Sequence, residues 1–225
     1  MAEADPAKTK RRVRRNGPTS RDIQRENTRN RIIQCALKVF GDKGFEGGST
    51  RDIAAAAGVR QALISHYFDS KYALWQAAIE SLFDDIGRRY NKLQVYDADR
   101  PIEDRLRSLV RGYISYIHDH PEHARLMQHA AMHGGEQLEW IDATHMRPRY
   151  NASFAMLREG IAKGVLPVVN PVLLHFTLSG AIHSFYLLEA QVRSLSGIDP
   201  RAPEILEEHA EVIFELFLRD PSKKK

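Results

Sequence analysis

The 225-residue sequence predicts an all-α fold. Apolar residues recur at steps of three and four along most of the chain, which is the period of an amphipathic helix. Glycine, proline and capping residues separate these stretches at intervals that suit helices. Strand-type alternation of useful length is not found in the sequence. We therefore expect a three-helix unit at the N-terminal end, followed by a larger helical domain.

The first predicted helix runs from about Thr28 to Lys43-Gly44, where Gly44 supplies a left-handed C-cap. Ser49 or Thr50 caps a short second helix, "RDIAAAA", and Gly58 turns the chain with a positive φ. A third short helix then ends at Phe68. Two short helices joined by a glycine turn, after a longer helix, form a helix-turn-helix unit.

The rest of the chain predicts longer helices. Asp69 or Ser70 caps one that reaches about Leu93, and another follows the break at 97–101. Pro121 begins a helix that ends before Gly134-Gly135, and a long helix spans about 136–163 with a kink or break at Pro148. Residues 172–195 are apolar nearly all round, which predicts a helix in the core or in an interface. The last predicted helix covers 204–218.

Positive charge is concentrated at the N-terminal end of the sequence. The net charge is +4, yet residues 1–31 hold ten arginines and lysines against four acidic residues. This asymmetry predicts a polyanionic partner, and nucleic acid fits better than a membrane because apolar anchors are missing. We interpret residues 1–20 as a disordered basic arm in which Arg11, Arg12, Arg14 and Arg15 contact phosphates or a minor groove. A solvated tail without a partner is the alternative.

Localisation and redox state follow from what the sequence contains. An apolar signal region or a span long enough to cross a bilayer is not recognisable, so we expect a cytoplasmic protein without membrane contact. The lone Cys35 fits a reducing compartment and is interpreted as a small core residue. No cofactor is expected.

The segment "TRDIAAAAGVRQALISHYFDSKYAL", residues 50–74, resembles the DNA-binding signature of TetR-family transcriptional regulators. The agreement covers about residues 28–75 and includes these signature positions: Thr50, Ile53, Ala54, Ala57, Gly58, Val59, Ile64, Tyr67, Phe68, Ser70, Lys71 and Leu74. The resemblance implies a helix-turn-helix DNA-binding domain at 21–70 and a helical effector-binding and dimerisation domain at 71–225. The sequence departs from the family at Arg60, where a capping serine is usual, and at Ser65, where tyrosine is usual.

In a helix-turn-helix the second short helix lies in the major groove, with its N-terminal residues at base edges. The predicted base contacts are therefore Arg60, Gln61, Ala62, Leu63 and His66. Arginine suits guanine and glutamine suits adenine, because each can form two hydrogen bonds to one base. By the family resemblance and by the favourable field at helix N-termini, the predicted phosphate contacts are Thr50, Tyr67, Lys71 and Arg29. A solvated polar face is the alternative interpretation of Arg60 and Gln61.

The resemblance further implies a repressor that binds a palindromic double-stranded DNA operator as a homodimer and is released by a small-molecule effector. The expected dimer helices are 172–195 and 204–218, with burial of both inside one chain as the alternative. Aromatic and methionine-bearing helices are suited to line a ligand pocket, although each such residue also fits a plain core position. The candidates are Tyr113, Met127, Met132, Trp140, Tyr150, Phe154, Phe176, His183 and Tyr186.

Other functions receive weaker support from the sequence. His129 and His133 form a possible chelating pair, and His118, His120 and His123 cluster near a helix break. The sequence offers no cysteine or clear carboxylate that would complete a metal site at either place. These histidines would also suit pH sensing. The sequence has no nucleophile elbow, phosphate loop or Cys/His arrangement, so we expect no enzyme. A DNA-packaging protein that needs no ligand is the remaining rival.

Overall fold

The computed structural model describes residues 19–218, which form eleven α-helices and one π-helical turn without any strand. Three helices form the N-terminal unit: α1 (Ser20–Gly47), α2 (Thr50–Ala57) and α3 (Gln61–Tyr67). The predicted all-α class and the helix-turn-helix are thereby confirmed. The basic arm lies almost entirely outside the described residues.

Helix α1 begins eight residues earlier than the Thr28 that we predicted. Thr19 accepts a hydrogen bond from the backbone of Asp22, and the Asp22 carboxylate accepts one from the backbone of Thr19. This reciprocal capping box stabilises a helix start without any apolar face. The first turns of α1 are exposed on every side, so hydrophobic periodicity could not detect them.

Glycine residues kink the end of α1 and terminate α2. Gly44 has the expected positive φ of 69°, but α1 continues past this kink to Gly47 instead of ending there. Ser49 accepts a hydrogen bond from the backbone of Asp52 and is the N-cap of α2. Gly58 closes α2 in the left-handed conformation with φ 63° and ψ 37°, as predicted. A side chain at that φ would be strained.

The next three helices match their predicted positions. Ser70 caps α4 (Lys71–Lys92), and α5 (Ile102–Asp119) follows the turns at 93–101. Pro121 is the first residue of α6 (Pro121–His133), where its missing N–H costs nothing. Helix α6 packs against α1 and carries buried Ala124 and Leu126.

The predicted long helix over 136–163 is confirmed, and its irregularity lies just before Pro148. The chain is helical without interruption through α7 (Gly135–Ile141), a π-helical turn (Asp142–Met146) and α8 (Arg147–Ala162). Pro148 is the second residue of α8, where its missing N–H is tolerated. The irregular hydrogen bonding that we predicted at the proline is the widened π turn just before it.

The predicted single helix over 172–195 is wrong, because the segment forms two helices. The chain bends by 70° at Leu188 and divides the segment into α9 (Pro171–Leu187) and α10 (Glu189–Ser196). Leu174, Ile182 and Tyr186 are the buried residues of α9, whereas Leu173 and Phe176 are 66% and 56% exposed. The apolar sequence of α9 therefore does not correspond to burial on every side within one chain.

Helix α11 (Pro203–Phe217) closes the structure and packs against α5 and α9. One continuous apolar core connects the N-terminal unit to the C-terminal helices, from Ile32 in α1 to Phe214 in α11. A smaller core holds Val95, the start of α5 and the end of α8. Cys35 is partly buried against the larger core, as expected for a small apolar residue.

Helices that could cross a membrane were not expected from the sequence. Within residues 19–218, no single helix combines the length and apolar character that a bilayer crossing requires. Helices α9 and α10 together meet the length and composition limits, but they are sharply bent relative to each other.

Candidate nucleic-acid interface and effector cavity

Helix α3 presents a polar face on a rigid support. Ile64 is buried, and Phe68 directly after the helix is buried too, so this side of α3 is anchored in the core. The opposite side leaves Arg60, Gln61, Ala62, Ser65 and His66 exposed, with Leu63 half-buried. The five predicted base-contact residues therefore lie on or beside one accessible surface.

Arg60 occupies the N-cap position of α3 and makes no side-chain capping hydrogen bond. Its extended backbone (φ −72°, ψ 141°) is that of a normal N-cap residue. Because arginine has no acceptor, its side chain cannot cap α3 as serine would, and the Leu63 N–H donates to the Arg60 carbonyl at 2.9 Å. The N-terminal end of α3 thus combines the positive end of the helix dipole with an exposed guanidinium, an arrangement that favours anions.

Thr50 and Lys71 lie at the starts of the helices on either side of α3. The Gln61 side-chain amide donates a hydrogen bond of 3.2 Å to the Thr50 hydroxyl, which links α3 to α2. The Lys71 ammonium donates a hydrogen bond of 3.2 Å to the Glu46 carbonyl and lies 4.5 Å from the centre of the Phe45 ring. Both predicted phosphate contacts are half-buried, which restricts where their polar groups can point.

Two arginines of α1 extend this surface on the other side. The Arg25 guanidinium lies 6.0 Å from the centre of the Tyr67 ring, and that of Arg29 lies 5.5 Å from the Phe68 ring. Tyr67 and Arg29 were predicted as phosphate contacts, whereas Arg25 was not singled out. Its contact with Tyr67 depends on the crossing of α1 and α3, which periodicity does not reveal.

A cavity of about 500 Å³ lies between α4, α5, α6, α8 and α9. This volume is typical of small-molecule sites in proteins. Its walls include five of the residues predicted for an effector pocket: Tyr113, Met127, Tyr150, Phe176 and His183.

The other predicted pocket residues lie elsewhere. Trp140 packs against Trp75 on the side toward the N-terminal unit. Phe154 stacks behind Tyr150, Tyr186 is buried in the core, and Met132 is exposed on α6. None of these four side chains lines the cavity. Each occupies a helical position at which a pocket residue could lie, but its side chain does not face the cavity. Sequence spacing alone could therefore not distinguish these residues from those that line the cavity.

Neutral polar groups are distributed over the cavity wall. The Tyr113 hydroxyl forms a short hydrogen bond with His183 Nε2, and Tyr116 Oη lies 2.7 Å from His123 Nδ1. Burial lowers the pKa of His123 to about 3 and that of His183 to about 4. Burial also raises the pKa of Tyr113, which therefore keeps its proton. At neutral pH these groups offer hydrogen bonds without carrying charge.

Arg149 lines the cavity and was missed by sequence reasoning. Its guanidinium donates hydrogen bonds of 3.0 Å to the carbonyls of His145 and Phe83, and it lies 4.7 Å from the centre of the Phe83 ring. A lone arginine on an irregular helix carries no spacing signal, so only the fold reveals this position.

A row of contacting aromatic rings leads from the cavity toward the N-terminal unit. Phe83 stacks on His145 at 4.4 Å, His145 meets Trp140 at 5.2 Å, and Trp140 meets Trp75 at 5.6 Å. Trp75 in turn contacts Phe45 at 5.8 Å, beneath the Lys71 ammonium. We call these five rings (Phe83, His145, Trp140, Trp75 and Phe45) the aromatic row.

The outer surfaces of the C-terminal helices carry many exposed apolar side chains. On α9 and α11 these are Val172, Leu173, Phe176, Val212 and Leu216, with Leu188 and Leu195 beside them. Lone apolar residues are common on surfaces, whereas a concentration of this kind is typical of interaction sites.

The histidines do not form a metal centre in the part of the chain that the structure describes. His133 Nδ1 lies 2.8 Å from the His129 carbonyl, which engages one ring nitrogen of the suspected chelating pair. Groups of three or more potential ligands, placed to hold an ion, do not occur within residues 19–218.

Two family models match the sequence in adjacent segments. Residues 32–78 match the model described as "Bacterial regulatory proteins, tetR family". Residues 79–223 match the model described as "YcdC-like protein, C-terminal region". Together they cover residues 32–223, which include α2, α3, the greater part of α1 and the helices that enclose the cavity.

Curated relatives and solved structures agree with these matches. The chain is 32% identical over 112 residues to the HTH-type transcriptional repressor NicS of Pseudomonas putida, which is 50% of this chain and 52% of NicS. It is 30% identical over 101 residues to the probable HTH-type transcriptional regulator YttP of Bacillus subtilis, 45% of this chain and 49% of YttP. The chain thus spans about half the length of each of these relatives.

Two solved structures share the fold. The hemolysin II transcriptional regulator HlyIIR has a TM-score of 0.66 at 21% identity, covering 87% of this chain and 99% of that one. The ketosteroid transcriptional regulator KstR2 of Mycobacterium tuberculosis has a TM-score of 0.65 at 17% identity, covering 85% and 95%.

Proposed function

The chain belongs to the TetR family of bacterial transcriptional regulators, and from this premise we propose that it is a ligand-responsive repressor. In this proposal a homodimer binds a palindromic operator through α3 and leaves it when a small molecule occupies the cavity. The observation that carries the proposal is the exposed α3 face, in which Arg60 takes the cap position without an intramolecular capping bond.

On the DNA side, α3 enters the major groove and Arg60, Gln61, Ala62, Leu63 and His66 meet base edges. Arg60 and Gln61 are the residues that can distinguish bases by paired hydrogen bonds. The Gln61 amide leaves Thr50, or shares its second N–H, when it binds a base.

The phosphate contacts of Thr50, Tyr67, Lys71 and Arg29 flank this face and fix its orientation on the duplex. Arg25 supports the Tyr67 ring from α1. Because these side chains lie on α1, α2, α3 and α4, a small rotation of any of these helices would misplace some of them.

A single α3 reads only a few base pairs, so a second copy is needed for a unique site. The exposed apolar residues of α9 and α11 are the proposed dimer surface, with α10 beside them. Pairing of these faces would remove from water the apolar area that one chain leaves uncovered. A two-fold axis through such an interface produces a palindromic operator.

The cavity and the DNA-binding face share structural elements. Helix α4 carries Phe83 at the cavity and Lys71 at its N-terminal end, and α6 lines the cavity while packing on α1. The aromatic row joins the two places through direct ring contacts. A ligand that binds more tightly when α4 and α6 are shifted away from the DNA-binding arrangement would thus weaken DNA binding. The largest loss of DNA-binding free energy equals the difference between the ligand's binding free energies for the shifted and the DNA-binding arrangements.

The proposal is tested by selecting bound sequences from a random DNA pool with the purified protein. We expect an inverted repeat whose half-sites change when Arg60 is replaced by serine. Arg158→Gln on the exposed side of α8 is the control, because it removes the same charge far from α3. Enrichment of no sequence would contradict a specific operator, and uniform coating of all DNA would favour a packaging role.

A further inference from the structure

The cavity has an electrostatic character that specifies the class of its ligand. We propose that it binds an organic monoanion, with an apolar body in the cavity and one carboxylate or similar acid group on Arg149. This inference rests on the proposed function, since it names the effector class for the same cavity.

Arg149 is the one permanently charged side chain on the cavity wall, which includes neither aspartate nor glutamate among the described residues. Two other arginines that are withdrawn from solvent, the buried Arg105 and the half-buried Arg89, have carboxylate partners. Arg105 pairs with Glu159 at 2.9 Å, and Arg89 with Asp119 at 2.7 Å. Within residues 19–218, Arg149 makes no such ion pair. A charge removed from water without a counterion is costly, so an anionic ligand would gain from supplying one.

The hydrogen bonds of Arg149 hold the guanidinium in place without neutralising it. A guanidinium has five N–H groups, and two of them donate to the carbonyls of Phe83 and His145. The contact with the Phe83 ring restrains its plane further. The remaining N–H groups are available to the two oxygens of a carboxylate, which arginine binds well in a forked geometry.

The other polar groups of the wall add no charge that would alter this preference. His123 and His183 are kept neutral at pH 7 by burial, which lowers the pKa of each. His175 forms a hydrogen bond with Ser153, and burial lowers its pKa as well. These neutral groups can orient a second polar atom of the ligand, but a ligand cation would find no carboxylate to pair with.

Most of the remaining wall is apolar or aromatic. Phe83, Tyr90, Met127, Tyr150 and Phe176 surround the space from four helices. About 500 Å³ accommodates a ring system or a short chain, and apolar contacts of this kind supply most of the affinity in such sites. A polyanion would place charge against these apolar walls with a single arginine to meet it.

The test compares two probes with the same apolar body. 1-Anilinonaphthalene-8-sulfonate is an anion, and N-phenyl-1-naphthylamine is the same ring system without the acid group. Both increase in fluorescence when bound in an apolar site, so each is titrated against the full-length protein. The same titrations are made with Arg149→Gln, Arg149→Lys and the control Arg158→Gln, which lies on the exposed side of the same helix.

We expect Arg149→Gln to weaken the anion about 10- to 100-fold, the usual range for loss of a charge-assisted hydrogen bond, and to leave the neutral probe nearly unchanged. Arg149→Lys should restore part of the anion affinity, and Arg158→Gln should change neither probe. Equal anion affinity in wild type and Arg149→Gln overturns the proposal, and so does failure of the anion to bind the wild type.

Because Arg149 also supports Phe83 and His145, Arg149→Gln could unfold, which circular dichroism would detect. In that case competition by 2-naphthoate and by its uncharged amide, 2-naphthamide, decides the question on wild-type protein. Preference for the carboxylate supports the proposal, and equal competition or preference for the amide overturns it. Operator binding is measured on the same samples, so a wrong ligand class with intact DNA binding is distinguished from failure of the proposed function.

Discussion

Replacing Arg60 by serine should change DNA binding and protein stability in opposite directions. Arg60 is the N-cap of α3 and makes no side-chain capping bond, while its guanidinium is exposed on the proposed DNA face. Serine would accept a hydrogen bond from an N–H in the first turn of α3, but it could not bind a guanine as arginine does.

The two magnitudes can be worked out separately. A capping serine in place of a non-capping residue stabilises a helix by about 0.5–2 kcal/mol, which for a chain of this size raises the melting temperature by about 1–8 °C. Removal of a bidentate base contact costs about 1–3 kcal/mol per half-site, so a dimer that carries the substitution twice loses about 2–6 kcal/mol of operator affinity. A purely structural role for Arg60 would predict no loss of affinity.

The assay combines thermal unfolding of the free protein with fluorescence anisotropy on a labelled operator and on a scrambled duplex. We expect a higher melting temperature, weaker operator binding and a smaller change on the scrambled DNA. Arg158→Gln should leave both DNA affinities unchanged. If Arg60→Ser leaves affinity and site preference intact, the assignment of Arg60 as a base contact is wrong. A lower melting temperature would contradict the capping argument.

Leu216→Asp should convert the dimer to a monomer in sedimentation experiments without unfolding the protein, because Leu216 is 70% exposed within one chain. The control Met132→Asp, at a 75% exposed site on α6, should leave the protein dimeric. A dimeric Leu216→Asp variant would contradict the proposed interface. Because burial lowers the pKa of His123 and His183 in the folded state, the unfolded chain binds more protons below the normal histidine pKa of about 6.5. The free energy of unfolding should therefore decrease as pH falls from about 6.5 toward 4, by roughly 1.4 kcal/mol per pH unit for each histidine. Denaturant titrations of His183→Gln should show a smaller change of this free energy with pH than the wild type does. An equal pH dependence in the two proteins would contradict the prediction. Deleting residues 1–18, which retains the Thr19 cap, should flatten the slope of log K against log salt by about 0.9 for each phosphate that the arm no longer neutralises, and an unchanged slope would show that the arm does not bind DNA.

The sequence predicted the N-terminal unit well because its signals are local. Gly58 needs a positive φ, Ser49 and Ser70 are strong caps, and the buried Ile64 and Phe68 are four residues apart. Each of these features depends on residues within one or two turns. The start of α1 was missed because its first turns have no apolar face, although the Thr19 and Asp22 pair was a readable capping signal.

The C-terminal helices were harder to predict because their ends depend on distant neighbours. The bend at Leu188 falls where the apolar stretch ends, and neither glycine nor proline marks it. The π turn before Arg147 has no propensity signal either. Such features are decided by tertiary packing, which overrides local preference.

The cavity shows the same limit at the level of single side chains. Tyr113 and Trp140 both satisfy the pattern of an aromatic pocket residue, yet Tyr113 faces the cavity and Trp140 faces Trp75. Arg149 satisfies no pattern, and its importance comes from the absence of a carboxylate around it in the described structure. Spacing identifies the helix face, whereas the fold decides which neighbour that face meets.

Footprinting of the purified wild-type protein on genomic DNA tests the central claim, that two α3 helices of a dimer read one operator. We predict a short protected inverted repeat whose half-site centres lie about 34–36 Å apart, or a multiple of that distance, on one face of the duplex. Uniform protection along the DNA, or no protection at any site, would contradict the claim.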